Sequence, residues 1–389
     1  MKFEDFEGEL PLDRRELLIK GGLLGAAFLA LPGVANAATR TRLGASRSAS
    51  VSSSPLADRI AKNEKITVDT SKYKKSGPYT IAMITQGPFN GWGKIYDIAA
   101  QYAADQSGKV KKLLFFDSFG DPTKQITAMQ DMLAQKPDAI VLTAMSKAAL
   151  SAPVDRVMKA GIPVVMCGSS VNTDNYVGEV GRNLYQLAYT NAIATAHRLG
   201  SGGNVVMFNG IAGTDTAETW RQAAKDAFGQ FPKIKIVADQ YANWSTADSK
   251  KAATAILSAQ SKIDAVWTGG SEMSIGTILA YAEGNRKMPL FGTTNPLNGF
   301  LRLAKQYNLQ FVASPYPPAM SYYGVQAALN VLAGKPIKKY ADVETVLLHN
   351  QTSYTQASLA KHYRAEYNDD YIDPTPLPRS VLVKGGFGR

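Results

Sequence analysis

One cysteine, Cys167, serves a chain of 389 residues, so no internal disulfide can hold the fold and packing must do so alone. It ends the apolar run Pro163-Val164-Val165-Met166, which reads as a small buried hydrophobe at a strand end rather than a reactive thiol. Histidine is nearly as scarce. His197, His349 and His362 have no metal-ligand spacing, so no metal is expected. His197, late in a predicted helix before Gly200, reads as a favourable charge at a helix C-terminus. A G-x-S-x-G elbow for a nucleophilic serine is also missing. The glycines Gly87, Gly91 and Gly93 follow a strand and precede a helix, with Asp117 ending the next strand, which superficially fits dinucleotide binding. The spacing fails: a G-x-G-x-x-G run from Gly91 needs glycine where Tyr96 stands, and a phosphate-binding loop needs Ser or Thr where Ile95 follows Lys94. These absences leave no catalytic residues, no cofactor and no metal to assign.

The chain also lacks any run of roughly 18 apolar residues, the length that a membrane span requires. Its longest candidate, Gly21 to Leu31, has 11 residues. It follows Arg14-Arg15 and precedes Ala35-Asn36-Ala37, and the three together resemble a twin-arginine export signal with its cleavage site. No cysteine follows to be lipidated. The expectation is a signal over 1–37, cleaved near Ala37, and a working protein outside the cytoplasm.

The formal charge of +11 raises nucleic-acid binding, and its location argues against it. Residues 38–75 carry nine Lys/Arg against three Asp/Glu amid a cluster of serines, which predicts a flexible basic spacer over 38–76. Beyond it the excess is spread thinly, with no basic run interleaved with aromatics, so no nucleic acid is expected.

From Tyr79 onward, short buried runs alternate with amphipathic segments. Predicted strands cover 80–85, 112–116, 139–143 and 163–167, with helices over 122–135 and 148–160 between them. The helix at 122 has Asp121 as N-cap and Pro122 at its first position. A second series follows from about 178, with strands over 204–209, 235–239, 265–268 and 289–292. Lys136-Pro137-Asp138-Ala139-Ile140-Val141 is echoed by Lys262-Ile263-Asp264-Ala265-Val266. The pattern predicts an α/β protein of two doubly wound, Rossmann-like lobes, with a ligand site beyond the carboxyl ends of the strands, in the cleft between lobes.

Three runs resemble the first lobe of ribose-type periplasmic binding proteins: Phe116-Asp117-Ser118 through Asp121-Pro122-Thr123-Lys124-Gln125-Ile126, Gln135-Lys136-Pro137-Asp138-Ala139-Ile140, and Ala160-Gly161-Ile162-Pro163-Val164-Val165. Gly210-Ile211-Ala212-Gly213-Thr214 and Glu272-Met273-Ser274-Ile275-Gly276 resemble the second lobe. The resemblance implies a type I periplasmic binding protein fold with a three-segment hinge, crossing near Val177, near Pro315 and again in the tail. The lobes would be 77–177 plus 316–345, and 178–315 plus 346–389. It implies a periplasmic solute receptor, not an enzyme, that hands a small sugar or related solute to the permease of an ABC importer. A sensory partner in the periplasm stays open as an alternative, and an NAD-dependent or hydrolytic enzyme as a remote one.

Several positions depart from the pentose binders of that family. Gly87-Pro88-Phe89-Asn90 stands for Asn before Pro-Phe-Phe, Gly168-Ser169 for Asp-Arg, Trp220 beside Arg221 for Arg, Gly270-Ser271 for Asn-Asp, Thr294 for Asp and Pro315 for Gln. A site stripped of donors and acceptors holds a pentose poorly, since each unpaired buried polar group costs about 1–3 kcal/mol. Aromatics gather instead. Phe89 and Trp244 match positions that stack on the sugar in the family, with Trp92 and Trp220 close by, whereas Trp267, within a strand, reads as core. The polar candidates are Asn90, Ser146, Ser169, Thr214, Arg221, Ser271, Glu272 and Asn295; each could equally be a loop residue or helix cap, Thr214 and Ser271 above all.

Overall fold

The computed structural model describes residues 55–200, 202–343 and 354–389. The expected export signal and the first part of the spacer lie outside the described residues.

Two six-stranded sheets organise the chain. The first contains β2 (Tyr79–Thr85), β3 (Val110–Asp117), β4 (Ala139–Leu142), β5 (Val164–Cys167), β6 (Gly178–Gly181) and β13 (Tyr340–Asp342) in the order β3-β2-β4-β5-β6-β13, all parallel. The second contains β7 (Gly203–Asn209), β8 (Ile234–Tyr241), β9 (Ala265–Thr268), β10 (Leu290–Thr294), β11 (Phe311–Ser314) and β14 (Tyr354–Thr355) in the order β8-β7-β9-β10-β11-β14. There only β14 is antiparallel. The interior strands β4, β5, β9 and β11 are buried along their whole length, as strands covered on both faces must be. Edge strand β3 exposes Lys111 and Lys112. Both sheets start in the middle and turn outward in each direction, so each has a switch point: between β2 and β4 in the first, between β7 and β9 in the second.

The internal echo has a physical basis. Asp138 accepts from the Thr80 amide at 2.8 Å and returns its own N–H to the Thr80 carbonyl; Asp264 does the same with Asn204, also at 2.8 Å. In each lobe the aspartate locks the start of the central strand to its neighbour.

Helix Pro122–Gln135 begins as the sequence predicts, with the Asp121 carboxylate accepting from the Thr123 amide at 2.8 Å. The chain leaves the first sheet after β6 and enters the helix Leu184–Leu199 of the second lobe, so the first crossing follows Gly181 rather than the expected Val177, because Gly178–Gly181 pairs with β5 as a further strand of the first sheet. It returns after β11 into the helix Met320–Leu332, where an ideal Cβ on Gly324 would come 2.9 Å from Cys167 Sγ. Cys167 is fully buried, and burial pushes its thiol up to about 12.

Two segments depart from expectation. The spacer predicted over 38–76 is structured from Pro55 onward. Helix Pro55–Asn63 is followed by β1 (Thr67–Val68), which pairs with β12 (Ile337–Lys338). Arg59 donates to the Val171 carbonyl at 2.8 Å and Thr70 to that of Lys335 at 2.6 Å. Averaging composition over the whole segment hid Ile60 and Tyr73, which supply the burial. The C-terminal tail, expected with the second lobe, fastens to both. Asp370 pairs with Lys94 at 3.0 Å on one side, while Asp369 pairs with Arg302 at 2.7 Å on the other. Asn298 donates to the carbonyls of Arg364, Tyr367 and Asn368. Leu382 and Phe387 are buried, and an ideal Cβ on Gly385 would lie 2.4 Å from Ile98 of the first lobe.

Candidate functional site

A pocket lies where the carboxyl ends of the two sheets face each other. Every lining residue follows a strand: Gln86, Asn90 and Trp92 after β2, Thr143 to Met145 after β4, Ser169 after β5, Thr214, Thr216 and Trp220 after β7. Trp244 follows β8, Gly270 and Glu272 follow β9, Asn295 follows β10 and Tyr316 follows β11. The lining therefore draws on both switch points, where the strand order leaves room above the sheet. Across the mouth the lobes touch: the Asp215 amide donates to the Met145 carbonyl at 3.2 Å, and the Lys147 amide donates to the Asp215 carboxylate.

Aromatic rings dominate the walls. Trp92 stacks on Tyr316 with centroids 5.6 Å apart and planes 6° from parallel, and its Nε1 donates to the Tyr316 carbonyl at 2.9 Å. Trp220 meets the same tyrosine edge-on at 5.4 Å. Trp244 adds a fourth ring to the lining. Its backbone has φ 51°, a costly value for a bulky residue, and its Nε1 donates to the Gly269 carbonyl at 2.6 Å. The indole fits only because glycines flank it: an ideal Cβ would approach it to 2.1 Å from Gly210 and to 2.7 Å from Gly270.

Three lining residues hold buried side-chain polar atoms with no partner among the described residues: Trp220 Nε1, Glu272 Oε2 and Asn295 Oδ1. Trp220, Glu272 and Asn295 are 3%, 6% and 5% exposed. An unmade buried hydrogen bond costs about 1–3 kcal/mol, so three in one pocket call for an outside partner. Glu272 is the only charged side chain among the described residues of the lining. Burial, with the Asp370 carboxylate adding to it, raises its carboxyl to about 7, against the pull of a hydrogen bond from its own backbone amide. Asn90 accepts from the Gly93 amide through Oδ1 at 2.9 Å, capping its helix, which leaves Nδ2 as the group it can offer. Among the described residues, no group of three or more His, Cys, Asp or Glu could hold a metal ion.

A family model described as a periplasmic binding protein domain matches residues 81–336. The chain belongs to this family. Its fold is the type I periplasmic binding protein fold. A solved galactofuranose binding protein superposes with a TM-score of 0.66 at 19% identity, over 73% of this chain and 97% of that one. A periplasmic solute binding protein of an ABC transporter from Actinobacillus succinogenes, with bound D-allose, gives 0.65 at 22% identity over 73% and 100%. Among curated relatives, the ribose import binding protein of Haemophilus influenzae is 22% identical over 63% of this chain and 82% of its own length. The D-apiose import binding protein of Paraburkholderia graminis is 29% identical over 57% and 70%.

In this periplasmic binding protein, eight of the twelve expected contact residues line the pocket: Asn90, Trp92, Ser169, Thr214, Trp220, Trp244, Glu272 and Asn295. Four do not. Phe89 is 38% exposed, turned outward by the loop that puts Asn90 in the capping position. Arg221 follows Trp220 on a helix, about 100° further round, and is held by Asp239 through two hydrogen bonds of 3.0 and 2.6 Å. Ser146 caps the helix Lys147–Lys159 by accepting from the Ala149 amide at 3.3 Å. Ser271 bridges Asn295 and Leu297 through its hydroxyl, donating at 2.7 Å and accepting at 2.8 Å. Thr214 occupies an N-cap position yet does not cap; its hydroxyl donates to the Ile211 carbonyl at 2.8 Å. Trp267 is core, fully buried with Nε1 on Asn191 at 3.0 Å. Sequence reasoning missed Gln86, Thr143 to Met145, Thr216, Gly270 and Tyr316. The end of a central strand was a usable signal for Gln86 and Thr143, and the expected crossing at Pro315 for Tyr316.

Proposed function

We propose that this protein is the periplasmic receptor of an ABC importer. It binds a small sugar or a ring-bearing relative in the cleft between its lobes and delivers the solute, chemically unchanged, to the membrane permease. The observation that carries this reading is the pairing of aromatic walls with three unpartnered buried polar atoms, Trp220 Nε1, Glu272 Oε2 and Asn295 Oδ1. A ring with polar substituents stacks on the first and satisfies the second. The relatives named for ribose and apiose import support the class. The departures at Gly168-Ser169, Trp220, Gly270-Ser271 and Thr294 argue against a plain pentose as the ligand. Closure follows from the ligand touching both lobes at once, which favours the closed arrangement over an open one that rotates about the crossings. Export by the twin-arginine route, with cleavage near Ala37, brings the receptor to its compartment.

The test is a thermal-shift and calorimetric screen of carbohydrates, polyols and nucleosides against the purified mature chain. One micromolar or tighter hit is expected. A melting curve that no solute moves sinks the receptor reading.

A further inference from the structure

This inference rests on the cleft being a ligand site and concerns what kind of solute it takes. Glu272 lies on the first turn of the helix Ser271–Glu283, directly after Gly270. An ideal Cβ on Gly270 would stand 3.2 Å from Glu272 Oε2 and 2.7 Å from the Trp244 ring. Any side chain at 270 would crowd the space in front of both groups. Glycine, at φ 128°, leaves a carboxylate oxygen and an indole side by side in the pocket wall.

Beside the Asn90 Nδ2 donor, the unpartnered buried atoms lean toward accepting. Of the three unpartnered buried atoms, Glu272 Oε2 and Asn295 Oδ1 accept and only Trp220 Nε1 donates. Among the described residues, no Lys, Arg or His lines the pocket. The further charge that acts on Glu272 is another carboxylate, Asp370, which Lys94 holds on the outside at 3.0 Å. A lone buried carboxylate is expensive; it either takes up a proton or meets a cation. Around it stand Trp92, Trp220, Trp244 and Tyr316, and electron-rich ring faces attract an alkylammonium group.

We propose that the cleft selects a cationic solute, an amine-bearing sugar or polyol whose ammonium group sits between the Glu272 carboxylate, Asn295 Oδ1 and the Trp244 ring, with Trp220 Nε1 donating to a ligand hydroxyl. The raised carboxyl of Glu272 agrees with a site that lacks its counter-charge until the solute arrives.

Calorimetric titration of the mature chain with matched pairs tests this: 6-amino-6-deoxy-D-glucose against D-glucose, 6-amino-6-deoxy-D-galactose against D-galactose, and D-glucosamine against both D-glucose and its uncharged N-acetyl form. The expected result is at least tenfold tighter binding of one amine than of its neutral partner. That preference should shrink to within about twofold in Glu272→Gln, whose fold is checked by its melting curve. Neutral sugars that bind as well as or better than their amines in every pair overturn the cationic subsite and leave the receptor reading standing. An amine preference that survives intact in Glu272→Gln overturns the role of Glu272. Binding by no member of either set counts against both readings.

Discussion

Gly210→Ala probes the wall of the pocket without touching a hydrogen-bonding group. An added Cβ would lie 2.1, 2.4 and 2.6 Å from three atoms of the Trp244 indole, far inside van der Waals contact. The indole cannot drift freely, because its Nε1 is bonded to the Gly269 carbonyl at 2.6 Å and its Cδ1 lies close to Gly270. Relief therefore requires breaking that bond, worth about 1 kcal/mol net, or shifting backbone, with overpacking costing about 1–3 kcal/mol. The two together cost roughly 2–4 kcal/mol, or a fall in Tm of roughly 3–6 °C at about 2.1 cal/mol/K of unfolding entropy per residue. Calorimetric melts give the stability change, and tryptophan emission reports whether the ring has moved toward water. Gly229→Ala is the control: nothing lies within 4 Å of its added Cβ at the end of the helix Asp215–Gly229. It should be neutral or slightly stabilising. If Gly210→Ala melts within about 1 °C of the parent and binds ligand equally well, Trp244 is not held as described.

Further expectations follow from the same geometry. Trp244→Ala should weaken any ligand found in the screen by more than tenfold, since a buried aromatic contact is worth on the order of 1–3 kcal/mol; unchanged affinity would return Trp244 to the scaffold. Arg221→Ala should leave affinity within about twofold, because the guanidinium is committed to Asp239 away from the pocket; a large loss would restore Arg221 to the site. Asn298→Ala should cost about 2–4 kcal/mol by stripping donors from the buried tail carbonyls, read in chemical denaturation. Glu272 gives a pH signature. Its folded pKa near 7 exceeds the ordinary 4.5, so folding favours the protonated form, and stability drops as pH climbs from about 4.5 to 7. Glu272→Gln should then outlast the parent in melts at pH 8, by up to roughly 3 kcal/mol, and match it near pH 4.5. Asp97, also raised to about 7 by burial and Asp117, titrates in both proteins and cancels in the comparison.

The fold was readable because two periodicities repeat in register with length: buried four- to eight-residue runs, each followed by an amphipathic segment, leave few arrangements other than parallel sheets with covering helices. The loops that form the site were readable for the same reason, since they begin where buried runs end. Which side chain in each loop turns inward was not. Phe89 and Asn90 are adjacent, as are Trp220 and Arg221, and the outcome depended on a cap in one case and on helical phase in the other. Ser271 and Glu272 likewise part company within one turn, the serine tying down the Asn295 loop. Tyr316 joins the site from the second crossing, and its stacking on Trp92 spans 224 positions of sequence, as their hydrogen bond records. The tail is harder still: its hold on both lobes rests on separate ion pairs of Asp369 and Asp370, neighbours in sequence facing different lobes.

The solitary thiol, shut away between β5 and the helix Met320–Leu332, has a practical side. With Cys167 fully buried and pushed up to about 12, maleimide dyes have nothing native to attack while the protein stays folded. Cysteines placed at exposed Phe119 in one lobe and Tyr241 in the other would therefore be the only sites labelled, and energy transfer between two fluorophores there would test the proposed opening and shutting on single molecules directly.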